Sequence, residues 1–329
     1  MLTFQKVLTG FQTRADARAE RTDAFADGIA WIENEFVPIG KARIPILDQG
    51  FLHSDLTYDV PAVWNGRIFR LDDHLDRLEV SCAKMRLPLP IARPELRRLV
   101  MELVSRSGLR DAYVEIIVTR GLKFLRGAQA EDIIPNLYLM AVPYVWILPL
   151  EYQNHGAPAV VTRTVRRTPP GALDPTIKNL QWGDLVRGLM EAGDRDSFFP
   201  ILPDGDGNAT EGAGYNIVLV RNGELHTPRR GVLEGITRRT VLEIAAARGL
   251  KTHVTEIPIQ ALYECDELFM CSTAGGIMPL VLLDGNIVGD GTVGPVTRMI
   301  WEAYWDLHDD PQLSEPVTYA PLEHHHHHH

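Results

Sequence analysis

Five short stretches of this chain place polar side chains or bare amides where chemistry needs them. Lys178 stands in "LDPTIKNLQWGDL", residues 173–185, between an extended P-T-I approach and an apparently helical "NLQWGDLVRGLMEAG". Its neighbours Ile177, Leu180 and Trp182 are apolar, and lysine is scarce: positions 6, 41, 84, 123, 178 and 251 hold all of it. A lone lysine is ordinarily a solvated cation, but one drawn out of water has a lowered pKa and offers a nucleophilic amine near neutral pH. Glu211, in "NATEGAGYN", is followed by Gly212, Gly214 and an apolar strand; packed that closely it would be buried, and a buried carboxylate needs a cation. In "GVLEGITRRTVLEI", Gly231 and Gly235 precede Ile236 and Thr237, which open a helix whose first N–H groups lie unobstructed for a phosphate. "CSTAGGIMP", residues 271–279, is a second small-residue turn where Thr273 adds a hydroxyl and an N–H. Arg77 comes one residue before Leu78 of a helical apolar stripe, and arginine is the natural phosphate clamp.

Taken singly, each stretch has a plainer reading: surface cation, solvated loop acid, Thr-capped helix, tight turn, surface arginine. Taken together they describe one ligand. It carries an aldehyde for Lys178, a phosphate for Arg77, the 236–237 amides and Thr273, and a protonatable ring nitrogen for Glu211. Pyridoxal 5'-phosphate (PLP) has all three groups.

Other chemistries find no support. "DGDGNATE" (204–211) fails the calcium-loop pattern, with Ala209 where glycine and Tyr215 where glutamate is required, and reads as a turn. There is no Walker sequence and no strand–GxGxxG–helix fingerprint. Cys82, Cys265 and Cys271 are odd in number and lack ligand spacing, so no metal site and a reduced, cytoplasmic protein are expected. The net charge of −10, with no dense Lys/Arg block, argues against nucleic acid. The N-terminus has no apolar core of signal-peptide length, and "IIPNLYLMAVPYVWILPL" is broken by Pro135, Asn136, Pro143 and Pro149, which makes it a buried strand and an irregular connection rather than a membrane span. "LEHHHHHH", residues 322–329, is an expression tag.

The elements that must position these groups form an α+β pattern in two domains. Strands and turns fill residues 29–69, where Asn65-Gly66 makes a hairpin turn inside "TYDVPAVWNGRIFRL". A helix follows with Asp72 as its N-cap and Leu71, Leu75, Leu78, Cys82 and Met85 on one face; another opens at Pro94 and closes at Gly108. "AYVEIIVT" and "NLYLMAV" are strands flanking a loop at 120–135. The Pro-rich stretch 143–157 separates a domain at 1–142 from one at 158–321, in which strands alternate with helices such as Thr237–Arg248.

The ordered set "HLDRL", "IKNLQW", "EGAGYN", "LEGITR" and "STAGG", spread over residues 25–310, resembles the fold-type IV PLP enzymes: branched-chain and D-amino-acid transaminases and aminodeoxychorismate lyase. "HSDLTYDV" (53–60) and "TRGLKFLRG" look most like the (R)-selective amine transaminases within them. The resemblance implies a smaller N-terminal α/β domain and a larger C-terminal pseudo-barrel domain. It implies Lys178 as the Schiff-base lysine, Glu211 on the pyridine nitrogen, and Arg77, Leu233, Ile236, Thr237 and Thr273 at the cofactor and its phosphate. It also implies a homodimer whose active sites lie at the subunit interface. The expected substrates are an (R)-primary amine and a keto acid such as pyruvate, in a pocket lined by His53, Tyr58, Val60, Tyr113, Glu115, Arg126, Trp146, Trp182, Thr273 and Ala274. D-Amino-acid transaminases carry an Arg-x-His pair after "TRG"; here Arg126 fits but Ala128 takes the histidine's place. A D-amino-acid or branched-chain transaminase is the alternative, with the lyase behind it.

Overall fold

The computed structural model describes residues 3–322; of the expected tag, residues 323–329 lie outside the described residues. Two compact units emerge, and neither is continuous in sequence. One holds Thr9–Val145, Lys178–Leu180 and the chain from Leu307 onward; the other holds the chain up to Leu8, Trp146–Ile177 and Gln181–Asp306. We call them the Lys178 unit and the Glu211 unit. A division at 142 and 158 places Lys178 with Glu211, whereas the three residues Lys178–Leu180 cluster with the N-terminal strands. The reason is local: the Lys178 carbonyl accepts hydrogen bonds from the Thr57 hydroxyl (2.8 Å) and the Tyr58 N–H (3.3 Å).

The Lys178 unit takes in the later part of α1 (Phe4–Ala19), then β1 (Ile29–Ile32), β2 (Glu35–Pro38), α2 (Gln49–His53), β3 (Leu56–Asp59), β4 (Ala62–Trp64), β5 (Arg67–Phe69), α3 (Leu71–Lys84), α4 (Arg93–Ser107), β6 (Ala112–Thr119) and β7 (Asn136–Pro143). Its eight-stranded sheet runs Ser314–Pro316, β5, β4, β6, β7, β1, β2, with β3 paired to β6, and every pairing is antiparallel. Asn65 and Gly66 turn β4 into β5 with φ of 48° and 75°, the left-handed pair that matches strand twist in a two-residue hairpin. Strand alternation sends Val114, Ile116 and Val118 into a core with Leu75 and Leu78 of α3 and Leu96, Val100 and Leu103 of α4. Each such leucine contributes about 1.5–3 kcal/mol by burial, and Leu78→Ala would cost about 2–5 kcal/mol. The start of α3 differs from expectation. Its N-cap position is Arg70 in the left-handed region (φ 54°) with no side-chain cap, because Asp72 faces outward to Arg93 and Arg97.

The Glu211 unit contains β8 (Ala157–Val161), α5 (Gly183–Asp194), β9 (Pro200–Ile201), β10 (Asn216–Arg221), β11 (Glu224–Pro228), α6 (Ile236–Ala247), β12 (Thr252–Thr255), α7 (Ile259–Glu264), β13 (Glu267–Ser272), β14 (Gly276–Leu283), β15 (Asn286–Ile287) and α8 (Pro295–Asp306). Its sheet runs β12, β11, β10, β13, β14, β8, β9, with β15 on β14; it is mixed, parallel at β11–β12, β8–β14 and β8–β9. The helix expected from residue 179 begins only at Gly183, with Trp182 in the N-cap position. Lys178 therefore sits in irregular chain five residues ahead of the helix, and the P-T-I approach, expected to be extended, is a turn in which the Ile177 N–H donates to the Asp174 carbonyl (3.3 Å). Among the described residues no helix is long and apolar enough to cross a membrane.

Candidate active site

In the Lys178 unit, β3 presents two faces with different tasks. One face carries Leu56, Tyr58 and Val60, all buried, with Tyr113 and Ile117 of β6 packed against them. The Lys178 Nζ lies 4.6 Å over the centre of the Tyr58 ring, a cation–π placement. It makes no hydrogen bond or ion pair among the described residues, so its amine is held without being neutralised. Glu115 shares the Tyr113 face; burial pushes its carboxyl up, while the Lys178 charge pulls it back down. Burial, with the Glu115 charge beside it, also drives the Tyr113 phenol upward, so it stays protonated as a hydroxyl donor.

The other face turns Asp59, fully buried, toward α3. Its carboxylate accepts a two-pronged contact from Arg77, Nε at 2.8 Å and Nη2 at 2.9 Å, and a 2.6 Å hydrogen bond from the His74 Nδ1. Burial opposes ionisation, but Arg77 and His74 outweigh it and hold Asp59 well below the usual carboxylate range. Burial depresses His74 despite the Asp59 contact, with the Arg77 and Lys178 charges adding to the effect. A neutral His74 donating through Nδ1 follows. Arg77 is thus locked in orientation by a buried partner.

The loop that carries Arg126 is pinned at both roots. Asp48, fully buried, accepts from the Gly50 N–H (2.7 Å), the Thr119 hydroxyl (2.9 Å), Asn136 (2.8 Å) and the Tyr138 hydroxyl (2.5 Å), joining the end of β6 to the start of β7. Arg126 itself is exposed, as is His53, whose ring meets Phe124 edge-on at 5.7 Å.

In the Glu211 unit, Glu211 is 4% exposed and its carboxylate is held by the Leu233 N–H (3.0 and 3.3 Å) and by Arg167 Nε (3.2 Å). Arg167 also grips Asp184 (2.7 Å), whose oxygen accepts from the Thr168 N–H and hydroxyl. Burial would lower the Arg167 guanidinium, but Glu211 and Asp184 outweigh it and raise it. The expected cationic partner of Glu211 is therefore Arg167, which sequence reasoning missed.

Beside it, α6 opens at Gly235 with no side-chain cap. A Cβ at Gly235 would come within 2.2 Å of the Asn216 oxygen, and Asn216 in turn donates to the Leu233 carbonyl (2.8 Å). The first turn, Ile236 and Thr237, is buried, with the Thr237 hydroxyl 3.5 Å from that of Tyr304. Positive helix-end potential without a competing side chain is what a phosphate requires. Thr273 and Ala274 occupy the turn between β13 and β14, where the Ala274 N–H bonds the Ser272 hydroxyl (3.1 Å). Trp182 packs on the unit's core and against Gly214, and Trp146 lies 5.8 Å from Trp305; both aromatics have a packing role in this unit.

So Tyr58, Val60, Tyr113, Glu115 and Lys178 come together in one unit, and Glu211, Leu233, Ile236 and Thr237 in the other. Sequence reasoning also missed Asp59 and His74, although both lie inside quoted stretches, because nothing local marks an acid as a hub. Each group suits one part of PLP: an unpaired amine for the aldehyde, a glycine-capped helix start for the phosphate, an ionised carboxylate for the ring nitrogen.

Residues 57–283 match the family described as amino-transferase class IV. The chain is 28% identical over 285 residues to a D-alanine aminotransferase of Listeria monocytogenes, covering 83% of this chain and 93% of that one. It is 28% identical over 288 residues to a branched-chain-amino-acid aminotransferase of Pseudomonas aeruginosa, covering 85% and 93%. Among solved structures, the T.th. branched-chain amino acid aminotransferase with pyridoxamine 5'-phosphate matches with a TM-score of 0.82 at 26% identity, over 89% of this chain and 99% of that one.

Proposed function

Because the chain belongs to the amino-transferase class IV family, and is thereby a PLP-dependent transaminase of fold type IV, we propose that it moves the amino group of an (R)-configured primary amine to a keto acid such as pyruvate. The observation that carries this reading is the wall beside Lys178: Tyr58, Val60 and Tyr113 are apolar or aromatic and offer no cation to a substrate carboxylate. An amine bearing an aryl or alkyl group suits such a surface better than an amino acid does.

Bound PLP supplies an aldehyde and an electron-accepting ring conjugated to it. Lys178 would hold that aldehyde, and its Nζ would carry the proton that the transfer moves. Tyr58 underneath limits the directions from which the amine can reach it. Glu211, paired with Arg167 and aimed by the Leu233 N–H, would hold the proton on the ring nitrogen. Arg77, fixed by Asp59, would serve the phosphate in the one unit, as Thr273 and the opening amides of α6 would in the other.

The relatives' activities favour a second reading, a D-amino-acid or branched-chain amino acid transaminase, in which Arg126 holds the substrate carboxylate. Titrating (R)- and (S)-1-phenylethylamine, D-alanine and L-leucine against pyruvate and 2-oxoglutarate separates the two. Turnover of the (R)-amine with pyruvate above all other pairs is expected; faster turnover of either amino acid replaces the first reading with the second.

The same proposal includes a homodimer. Ile46, Leu47 and Phe51 are 62–69% exposed, Leu122, Phe124 and Leu125 are 55–57% exposed, and Ile134 is 78% exposed. So much apolar surface within one unit calls for a cover, and a second copy would place His53 and Arg126 at its partner's site. Sedimentation that finds only monomer removes this part. Three buried cysteines with no disulfide support a cytoplasmic setting.

A further inference from the structure

The Lys178 unit contains a cavity of about 350 Å³ that none of the residues assigned above lines. That volume is in the range of small-molecule sites, about 300–1,000 Å³. Four arginines border it, Arg14, Arg18, Arg21 and Arg110, against a single carboxylate, Asp111. Asp111 is already engaged two-pronged by Arg14, at 2.7 and 2.9 Å. Arg21 is held by Asp23 at 2.8 Å, yet its Nη1 is buried without a hydrogen-bond partner. Arg18 and Arg110 make no side-chain hydrogen bond or ion pair among the described residues; the Arg110 guanidinium instead stacks 3.6 Å over the Tyr319 ring. Phe11 and Tyr144 supply further flat apolar wall. Two guanidinium groups, those of Arg18 and Arg110, border the cavity with no side-chain hydrogen bond or ion pair among the described residues, which leaves a positive potential there.

We propose that this cavity binds a small organic anion, a carboxylate or phosphate on a flat apolar body. The anion meets Arg18 and Arg110, since planar guanidinium groups match both kinds of anion in a fork. The flat body lies against Phe11, Tyr144 and Tyr319. Such a site is separate from the transamination chemistry and would let an anionic metabolite bind without competing for Lys178.

Calorimetric titration of the PLP-loaded enzyme with 1-naphthoate and with AMP tests this, the two probes separating carboxylate from phosphate. One site per chain is expected for at least one probe. Arg18→Gln/Arg110→Gln should weaken it about 10-fold or more, the scale of a lost charge-assisted contact, with melting temperature and transaminase activity unchanged. Ala15→Phe, which fills the cavity and keeps every arginine, should block the same binding. Neutral 1-naphthamide and inorganic phosphate should each bind more weakly than 1-naphthoate and AMP respectively. Binding of neither probe overturns the proposal. So does undiminished binding in both variants, which would place the probe in the substrate pocket or elsewhere, or equal binding by 1-naphthamide or by inorganic phosphate.

Discussion

Asp59 and Glu211 are both buried carboxylates beside an arginine, and the two are built for different work. Asp59 has charged or hydrogen-bonding donors on both oxygens: from α3, Arg77 in two prongs and His74, and from its own strand the Val60 N–H (3.0 Å). Glu211 accepts from a guanidinium nitrogen of Arg167 and from the Leu233 N–H, and that arginine is shared with Asp184 at a shorter distance, 2.7 against 3.2 Å. Removing the Asp59 charge takes a buried counter-ion from Arg77 and a charged acceptor from His74 at once. Removing that of Glu211 leaves Arg167 still paired. A fold hub is thus recognisable by partners that depend on it, and a chemical group by partners that would survive its loss.

Four substitutions sharpen or break this contrast. Lys178→Ala, in the same unit as Asp59, should retain its far-UV spectrum yet lose transamination by about 10⁴-fold, since positioned proton transfer alone is worth about 10²–10⁴. Borohydride treatment of the wild type should leave the covalent adduct on Lys178 in peptide maps; an adduct on another lysine overturns the assignment. Asp59→Asn should cost about 3–5 kcal/mol of stability by breaking the buried ion pair with Arg77, and should loosen PLP through Arg77. Its acid limb has a defined sign. Asp59 stabilises above its ordinary value of 3.8 and loses that contribution as pH falls through its lower folded value. His74, lowered in the fold from 6.5, begins to cost stability as pH falls below that value. Thermal melts between pH 7 and 4 should therefore slope downward in the wild type.

Glu211→Gln should keep most of its stability and bind PLP, yet turn over roughly 100-fold more slowly, because a neutral amide cannot hold the ring proton. If it instead unfolds as readily as Asp59→Asn, the contrast between the two carboxylates is wrong. The smallest effect belongs to Arg126→Ala, on the exposed loop. Stopped-flow half-reactions should show about a 10-fold loss with pyruvate or D-alanine, one charge-assisted contact, and almost none with (R)-1-phenylethylamine. Equal losses in both would make Arg126 structural.

Much of this is legible in the sequence, because it depends on short-range physics. The Asn65-Gly66 turn, the apolar stripe of α3, the Gly108 stop of α4 and the glycine-capped start of α6 follow from backbone preferences acting over a few residues. The motif residues of the family are local strings too. Helix starts proved harder: Arg70 rather than Asp72 takes the N-cap of α3, and α5 waits until Gly183, since neighbouring charges and packing compete with capping preference.

What lay beyond the string is who meets whom. Lys178 is tied to Thr57 across 121 positions, Glu211 to Arg167 across 44, and Asp48 to both roots of the Arg126 loop across 71 and 88. Such pairings are set by sheet register and helix packing, which sum small contributions over the whole unit, so no window of sequence contains them. The sequence determined by itself that an amine, a carboxylate and a helix start suited to PLP exist in this chain. Only the tertiary structure decided that Tyr58 lies beneath the amine and Arg167 beside the carboxylate, because burial demands a partner without naming it.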